Sequence, residues 1–155
     1  MAEIKKILCA VDFSEATTSV AEYASLMARS LNAELLLLYV APSLRRYAAY
    51  QGEILSIDTL ISQIKTGAEK EMETLIRARF SDLPHVRGMV LSGYPPEMIL
   101  ETARQQQIDC IVLGTHGRRG MDAILFGSVA EKVVKKSPIP VLTVRPVPNH
   151  RRRRR

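Results

Sequence analysis

Short apolar runs alternate with longer segments of helical periodicity along most of this chain, and this alternation constrains the fold more than any other feature. The first apolar run is Ile4–Val11, and apolar residues then recur at helical spacing from Ala16 to Leu31. Short runs that are apolar throughout are typical of strands buried on both faces of a parallel sheet. Strand–helix alternation requires right-handed crossovers, which place helices on both faces. The sequence therefore predicts an α/β fold with one doubly wound parallel sheet.

The pattern predicts five strands and four helices. Asn32 is expected to close the first helix in the left-handed conformation, and Pro96 with Glu97 is expected to open the third. Residues 41–57 show no firm periodicity. The predicted strands are Ile4–Val11, Glu34–Val40, Val86–Leu91, Ile108–Leu113 and Val141–Val144, and the predicted helices run from Ser14 to Asn32, from about Asp58 to Phe80, from Pro96 to before Ile108, and from Ser128 to Lys136.

A glycine-rich loop follows the fourth apolar run and leads into the last helix. Its glycines are Gly114, Gly117 and Gly127, and glycine permits positive φ and the close approach of a ligand to the main chain. Ser128 and Glu131 have capping-box spacing, which predicts a helix start near Ser128 with unpaired amides at its positive end. The loop therefore predicts a phosphate site. It lacks the Walker A lysine and the dinucleotide fingerprint, which disfavours a fast P-loop NTPase and an ordinary dehydrogenase.

These motifs resemble the nucleotide-binding subgroup of the universal stress protein family. The resemblance rests on the glycine spacing, on Asp12-Phe13-Ser14 after the first strand, on Gly93–Glu97, and on the closing Ser137–Val144, and it covers Ile4 to Arg145. It implies a Rossmann-like sheet of order 3-2-1-4-5. It also implies an ATP-binding regulator that forms a homodimer through the apolar edge strand Val141, Leu142, Thr143 and Val144.

The resemblance assigns roles to individual residues. Asp12 would bond a ribose hydroxyl, and the alternative is that Asp12 and Ser14 cap the first helix. Ala130 stands where the family often has a hydroxyl residue, so only its amide would serve. Apart from the resemblance, His116, Arg118 and Arg119 lie inside the loop and could bind phosphates, with the alternative that loop arginines are usually solvated. The full set of candidate ligand-binding residues is Ala10, Val11, Asp12 and Val40 for the nucleoside, with Gly114 at the ribose, and His116, Gly117, Arg118, Gly127, Ser128, Val129 and Ala130 for the phosphates.

Composition indicates one domain, residues 1–147, followed by a disordered arginine-rich tail, residues 148–155. With 46% hydrophobic and 25% charged residues, 155 residues are sufficient for one core. The net charge of +6 comes mostly from Arg151–Arg155, without which 17 basic side chains remain against 16 acidic ones. No apolar segment is long enough to span a bilayer and no secretory signal is recognisable, so we expect a cytoplasmic protein. Cys9 and Cys110 are expected in the core, and a buried redox pair is the alternative.

Three function classes remain from the sequence. The favoured one is a cytoplasmic stress-response regulator that binds ATP, with or without Mg²⁺ or Mn²⁺, and changes the state of a homodimer. The second is a slow ATPase or autophosphorylating enzyme that uses the same site, for which no catalytic residue can be assigned. The third is nucleic-acid binding through the arginine tail, which would give affinity without specificity and is least favoured.

Overall fold

A computed structural model describes residues 1–43, 54–116 and 127–146. It contains β1 (Lys6–Ala10), α1 (Ala16–Leu31), β2 (Glu34–Pro42), α2 (Ile54–Arg79), β3 (Val86–Gly93), α3 (Pro95–Gln105), β4 (Cys110–Gly114), α4 (Ser128–Lys136) and β5 (Val141–Val144). The predicted loop residues Gly117 and Arg118 and the tail Arg151–Arg155 lie outside the described residues.

The five strands form one parallel sheet in the order β3-β2-β1-β4-β5, which confirms the predicted fold class. Strands are added outward from β1 in one direction through β2 and β3, and in the other through β4 and β5. The winding therefore reverses between β1 and β4. In open sheets of this type, ligands bind beyond the carboxyl ends of the strands at such a reversal.

Helices cover both faces of the sheet, as predicted. On one face, Ala24 of α1 and Met72 of α2 belong to a buried cluster with alternate residues of the central strands. On the other face, Ile99 of α3 and Val133 of α4 pack with the remaining strand residues. Because β1, β2 and β4 contribute to both clusters, their apolar runs are continuous rather than alternating.

Several element boundaries differ from the prediction. β2 continues to Pro42, because Ala41 and Pro42 pair with Ser92 and Gly93 of β3, a long-range pairing that local periodicity cannot reveal. α2 begins at Ile54 rather than Asp58, since an established helix recruits further residues at its ends at little cost. β4 begins at Cys110.

Ile108 was predicted to belong to the fourth strand but lies in the turn that ends α3. Its N–H donates to the carbonyl of Ala103 at 2.9 Å, after Gln107 at φ 55° has reversed the chain. Asn32 has the predicted left-handed conformation, φ 51° and ψ 44°, and its N–H bonds the last turn of α1. Pro95 and Pro96 occupy the first positions of α3, with Glu97 in the first turn.

The predicted capping box at Ser128 and Glu131 is wrong. Gly127 is the N-cap of α4, and its carbonyl accepts from the Glu131 N–H at 3.0 Å. No side-chain capping bond forms, and the Glu131 carboxylate instead bonds Lys135 at 2.7 Å. The helix nevertheless begins at Ser128. The N-cap lies one residue earlier than predicted, so Ser128 is the first helical residue and not the cap.

The two cysteines are buried free thiols, as predicted for core residues. They lie on neighbouring strands, where Ile7 is the partner of Cys110 and Cys9 is the partner of Val112. Burial raises the pKa of both thiols, that of Cys9 to about 12. Because a thiolate is the reactive form, these residues are inert packing groups in the folded state. Among the described residues, no helix is long and apolar enough to cross a membrane.

Candidate functional site

A cavity of about 620 Å³ opens at the carboxyl ends of β1, β2 and β4, where the winding reverses. Its wall is built from six parts of the chain: the carboxyl ends of β1, β2 and β4 with the residues that follow them, and the N-terminal parts of α1, α3 and α4. The ten candidate residues that lie within the described part of the chain all line it: Ala10, Val11, Asp12, Val40, Gly114, His116, Gly127, Ser128, Val129 and Ala130. The sequence thus identified one contiguous surface.

Asp12 lies in the turn between β1 and α1, two residues after β1 ends. One carboxylate oxygen, Oδ1, accepts from the Ser14 N–H at 2.9 Å, from the Ser14 hydroxyl at 2.5 Å, and from the Thr17 hydroxyl at 3.2 Å. The helix N-cap is Glu15, without a side-chain bond, so Asp12 is not the predicted N-cap. Its carboxylate orders the turn between β1 and α1 instead.

Thr115 and His116 continue β4 into the cavity wall. Both are nearly buried, with 6% and 8% of their surface exposed, and the Thr115 hydroxyl bonds His116 Nδ1 at 2.7 Å. The Thr115 N–H donates to Val144 of β5 at 2.9 Å, which extends the β4–β5 ladder by one residue. The imidazole is therefore a fixed part of the wall.

Gly127 connects this wall to α4. Its N–H donates to the carbonyl of Thr115 at 2.6 Å, and a Cβ at this position would lie 3.0 Å from the same oxygen. Its φ is −69°, so the expectation that this glycine needs positive φ is wrong. Glycine is required here because α4 begins in close contact with the backbone that ends β4. Gly114 is restricted in a similar way, with a Cβ position 3.1 Å from Val20 of α1.

The start of α4 presents unpaired amides to the cavity. The first intrahelical bond runs from Glu131 to Gly127, so the amides of Ser128, Val129 and Ala130 precede every intrahelical acceptor. All three residues line the cavity. Aligned amides at a helix N-terminus carry partial positive charge, which suits an anion.

Another part of the cavity lining is apolar. Val11, Val40, Ile99 and Leu113 are buried, and they line the cavity with Pro42 and Pro95. These apolar side chains suit a flat, weakly polar group, whereas the amides at the start of α4 suit negative charge.

Sequence reasoning missed three polar or aromatic residues that the fold brings to this cavity: Thr17, Tyr39 and Thr115. Thr115 lies inside the recognised glycine motif, and its position between Gly114 and His116 was the available signal. Thr17 stands five residues after Asp12, in the first turn of α1, and Tyr39 immediately precedes Val40. Only Thr115 could have been inferred from its neighbours.

Tyr94 and Lys132 connect α3 to α4 beside the cavity. The Lys132 ammonium donates to the Tyr94 hydroxyl and lies 5.0 Å from the centre of its ring. The hydrogen bond to Tyr94 raises the pKa of Lys132. The adjacent ion pair with Lys135 lowers the pKa of Glu131. Within residues 1–43, 54–116 and 127–146, no three His, Cys, Asp or Glu side chains are grouped to hold a metal ion.

Comparison with known proteins agrees with this architecture. The model of the universal stress protein family matches residues 3–145. The chain belongs to the universal stress protein family. Universal stress protein A homolog 1 of Coxiella burnetii is 34% identical over 142 residues, which cover 90% of this chain and 95% of that protein. The solved structure of protein MJ0577 of Methanocaldococcus jannaschii is 29% identical, superimposes with a TM-score of 0.82, and covers 96% of this chain and 100% of its own.

Two more distant universal stress proteins share the fold and were solved with nucleotides. The protein from Archaeoglobus fulgidus in complex with dAMP is 22% identical, with a TM-score of 0.64 over 90% of this chain and 96% of its own. A universal stress protein in complex with cAMP is 21% identical, with a TM-score of 0.60 over 93% of this chain and 98% of its own. Adenine nucleotides therefore bind to some members of the family.

Proposed function

We propose that this universal stress protein binds an adenine nucleotide, with ATP preferred, in the cavity at the carboxyl ends of β1, β2 and β4. The observation that carries the proposal is the convergence of a helix N-terminus, a strand-end carboxylate and an apolar wall on one cavity of about 620 Å³. The nucleotide complexes of two distant relatives support the same ligand class.

The cavity divides into parts that suit the parts of a nucleotide. The apolar wall around Val11, Val40 and Ile99 would hold the base, and Asp12 with Gly114 would contact the ribose. The amides of Ser128, Val129 and Ala130 would bind the phosphates, together with the loop residues Gly117 and Arg118. Mg²⁺ or Mn²⁺ would enter with the phosphates, since a divalent ion neutralises charge that the amides only partly offset.

We further propose that the nucleotide acts through the state of a homodimer, in a cytoplasmic regulator. β5 is an edge strand of the described sheet, and Leu142 is 37% exposed there. An apolar edge with unpaired amides and carbonyls favours pairing with another strand. A two-fold axis beside β5 would let two copies satisfy each other's edges. The cavity residues Leu113, Gly114 and Thr115 pair with β5, so the β4–β5 ladder connects the proposed nucleotide site to this edge.

Calorimetry and nucleotide analysis test the binding proposal. ATP titrated into the protein, with and without Mg²⁺, should produce saturable heat, and adenosine without phosphates should bind much more weakly because the α4 amides would be unused. Nucleotide released from purified protein by denaturation should be mainly ATP. Recovery of ADP or AMP with multiple turnover would favour the slow ATPase. No heat with millimolar ATP would overturn the proposal.

Two proline variants test the homodimer. The carbonyls of Pro140 and Val144 accept from the amides of Ile111 in β4 and of Thr115 just after it, at 3.0 and 2.9 Å. Backbone groups alternate in direction along a parallel ladder, so those of Leu142 face β4 and those of Thr143 face the open edge. Thr143→Pro should therefore give folded monomers in sedimentation. Leu142→Pro should break the β4–β5 ladder and destabilise the fold, because proline has no N–H to donate to β4. A wild-type protein that sediments only as a monomer at micromolar concentration would contradict the dimer.

A further inference from the structure

The Asp12 carboxylate is held by its own loop. Three donors converge on Oδ1, namely the Ser14 N–H, the Ser14 hydroxyl and the Thr17 hydroxyl. A carboxylate oxygen has two lone pairs, so three donors saturate it. No donor in residues 1–43, 54–116 or 127–146 bonds the other oxygen, Oδ2. In Asp12, Oδ1 is therefore occupied by hydrogen bonds within the loop, whereas both lone pairs of Oδ2 can accept hydrogen bonds from a ligand.

The surrounding structure keeps this arrangement in place. Thr17 is only 6% exposed, so its hydroxyl has little access to competing water. Phe13 adopts φ 59°, a left-handed conformation that an aromatic residue rarely takes and that has an energetic cost. Its ring packs on Tyr39 with 4.8 Å between ring centres, which offsets that cost. The unfavourable conformation at Phe13 is thus stabilised by packing, and in this loop conformation Asp12 lines the cavity.

We propose that Ser14 and Thr17 are positioning residues that orient Asp12 so that Oδ2 accepts a hydrogen bond from a ribose hydroxyl of the bound ligand. This inference rests on the proposed nucleotide function. It narrows the ligand class to nucleotides with a free ribose 2′- or 3′-hydroxyl. An oxygen fixed before binding gives a stronger bond than one that must be ordered by the ligand.

A purely structural role for the same bonds predicts something different. If Asp12 only stabilised the start of α1, removal of a donor would weaken the binding of every nucleotide equally, through a disturbed fold. If Asp12 is oriented toward the ligand, removal of a donor weakens only those nucleotides that have the hydroxyl. The ratio of two affinities therefore separates the two roles.

The experiment measures the Kd of ATP and of 2′,3′-dideoxy-ATP for the wild-type protein and four variants. The wild type should bind the dideoxy analogue about tenfold more weakly, the loss of one hydrogen bond to a charged acceptor. Thr17→Val, which keeps the shape but removes the donor, should reduce this ratio to about threefold or less. Ser14→Ala should also reduce it, and Ser14 does not line the cavity, so its effect is not a direct contact.

Two variants are matched controls. Thr17→Ser restores the donor and should recover the wild-type ratio, and Thr18→Val makes the same substitution at a neighbour that does not line the cavity. If Thr17→Val and Ser14→Ala lose affinity for ATP and for the dideoxy analogue by equal factors, the inference is overturned. A wild type that binds ATP and the dideoxy analogue equally would overturn it while the proposed function stands, whereas a wild type that binds neither would overturn both.

Discussion

The two ends of the sheet contain the same kinds of residue but use them differently. At the carboxyl ends, Asp12 lines a cavity of about 620 Å³. At the amino ends, a smaller cavity of about 310 Å³ lies among Lys6, Glu34, His85 and Arg87. Asp109, which precedes β4 at this end, lines neither cavity.

Two polar side chains at the amino end, Asp109 and Arg87, are paired within the fold. The Asp109 carboxylate accepts from the backbone amides of Lys5 and Lys6 at 2.9 Å each, and Arg87 donates to Gln106 at 2.5 Å. These contacts join β1 to β4 and β3 to the end of α3. The two aspartates thus differ in purpose, because Asp109 connects two strands whereas Asp12 orders a turn beside a large cavity.

Chain direction explains the difference. In a parallel sheet with right-handed crossovers, helices begin near the carboxyl ends of the strands and end near the amino ends. Unpaired amides and positive partial charge therefore collect at one end only. The amino end receives helix carboxyl termini, which close with turns such as the one at Asn32. Ligand chemistry is expected at the first end and structural closure at the second.

Gly127→Val should have the largest effect, because it should reduce nucleotide affinity at the carboxyl end of the sheet and leave the fold intact. A side chain at Gly127 would meet the Thr115 carbonyl at 3.0 Å and displace the amides at the start of α4. We expect nucleotide affinity to fall about tenfold or more, with a native circular dichroism spectrum. The matched control is Gly67→Val, because no atom lies within 4 Å of a Cβ at Gly67. Unchanged affinity in folded Gly127→Val would place the phosphates elsewhere.

Asp109→Ala should have the opposite effect, because it should reduce stability and leave nucleotide affinity unchanged. Its removal leaves two backbone amides without their acceptor, which should lower the free energy of unfolding by about 1–2 kcal/mol. Nucleotide affinity should remain within about twofold of the wild type, since Asp109 lies at the other end of the sheet. Denaturant titration and calorimetry on the same preparation measure both quantities. Asp12→Ala is the comparison variant, and a loss of affinity in Asp109→Ala as large as in Asp12→Ala would remove the distinction between the ends.

Cys9, in the strand between the two ends, should have the smallest effect, which is on the pH dependence of stability. Because the pKa of Cys9 is about 12 in the fold and about 8.5 in an unfolded chain, the unfolded state loses its proton first as pH rises. The stabilising contribution of the protonated thiol is complete below about pH 8.5 and is lost progressively between pH 9 and 12. Stability measured by denaturation should therefore fall across this window, and less steeply in Cys9→Ala. An equal slope in the two proteins would contradict the assignment to Cys9.

The same thiols report unfolding at pH 8. Iodoacetamide should label them only when the chain opens, so saturating ATP should slow labelling in the wild type. Gly127→Val should show little protection by ATP. Rapid labelling of the native protein would mean that the centre of the sheet is open to solvent.

Local features of the sequence predicted much of this molecule. Asn32 has the left-handed conformation expected of it, Pro96 lies in the first turn of α3 as predicted although the helix begins at Pro95, and β5 occupies Val141–Val144 as predicted. Each depends on a residue and its near neighbours, for which intrinsic preference is sufficient. Ala10, Val11 and Val40 at the strand ends were identified only by the family resemblance, because any core strand is apolar there, and their contact with a nucleotide stays a prediction.

Periodicity determined the alternation of strands and helices, and hence the α/β class, because burial on one or two faces leaves a repeat in the sequence. It could not determine the strand order, which only the family resemblance implied and the structure confirms. Tertiary structure alone decided that Gly127 needs close approach rather than positive φ, and that Thr17 bonds Asp12. The first depends on where α4 meets the end of β4 and the second on how α1 leaves β1. Such contacts are fixed by the packing of elements in space, which leaves no period in the sequence.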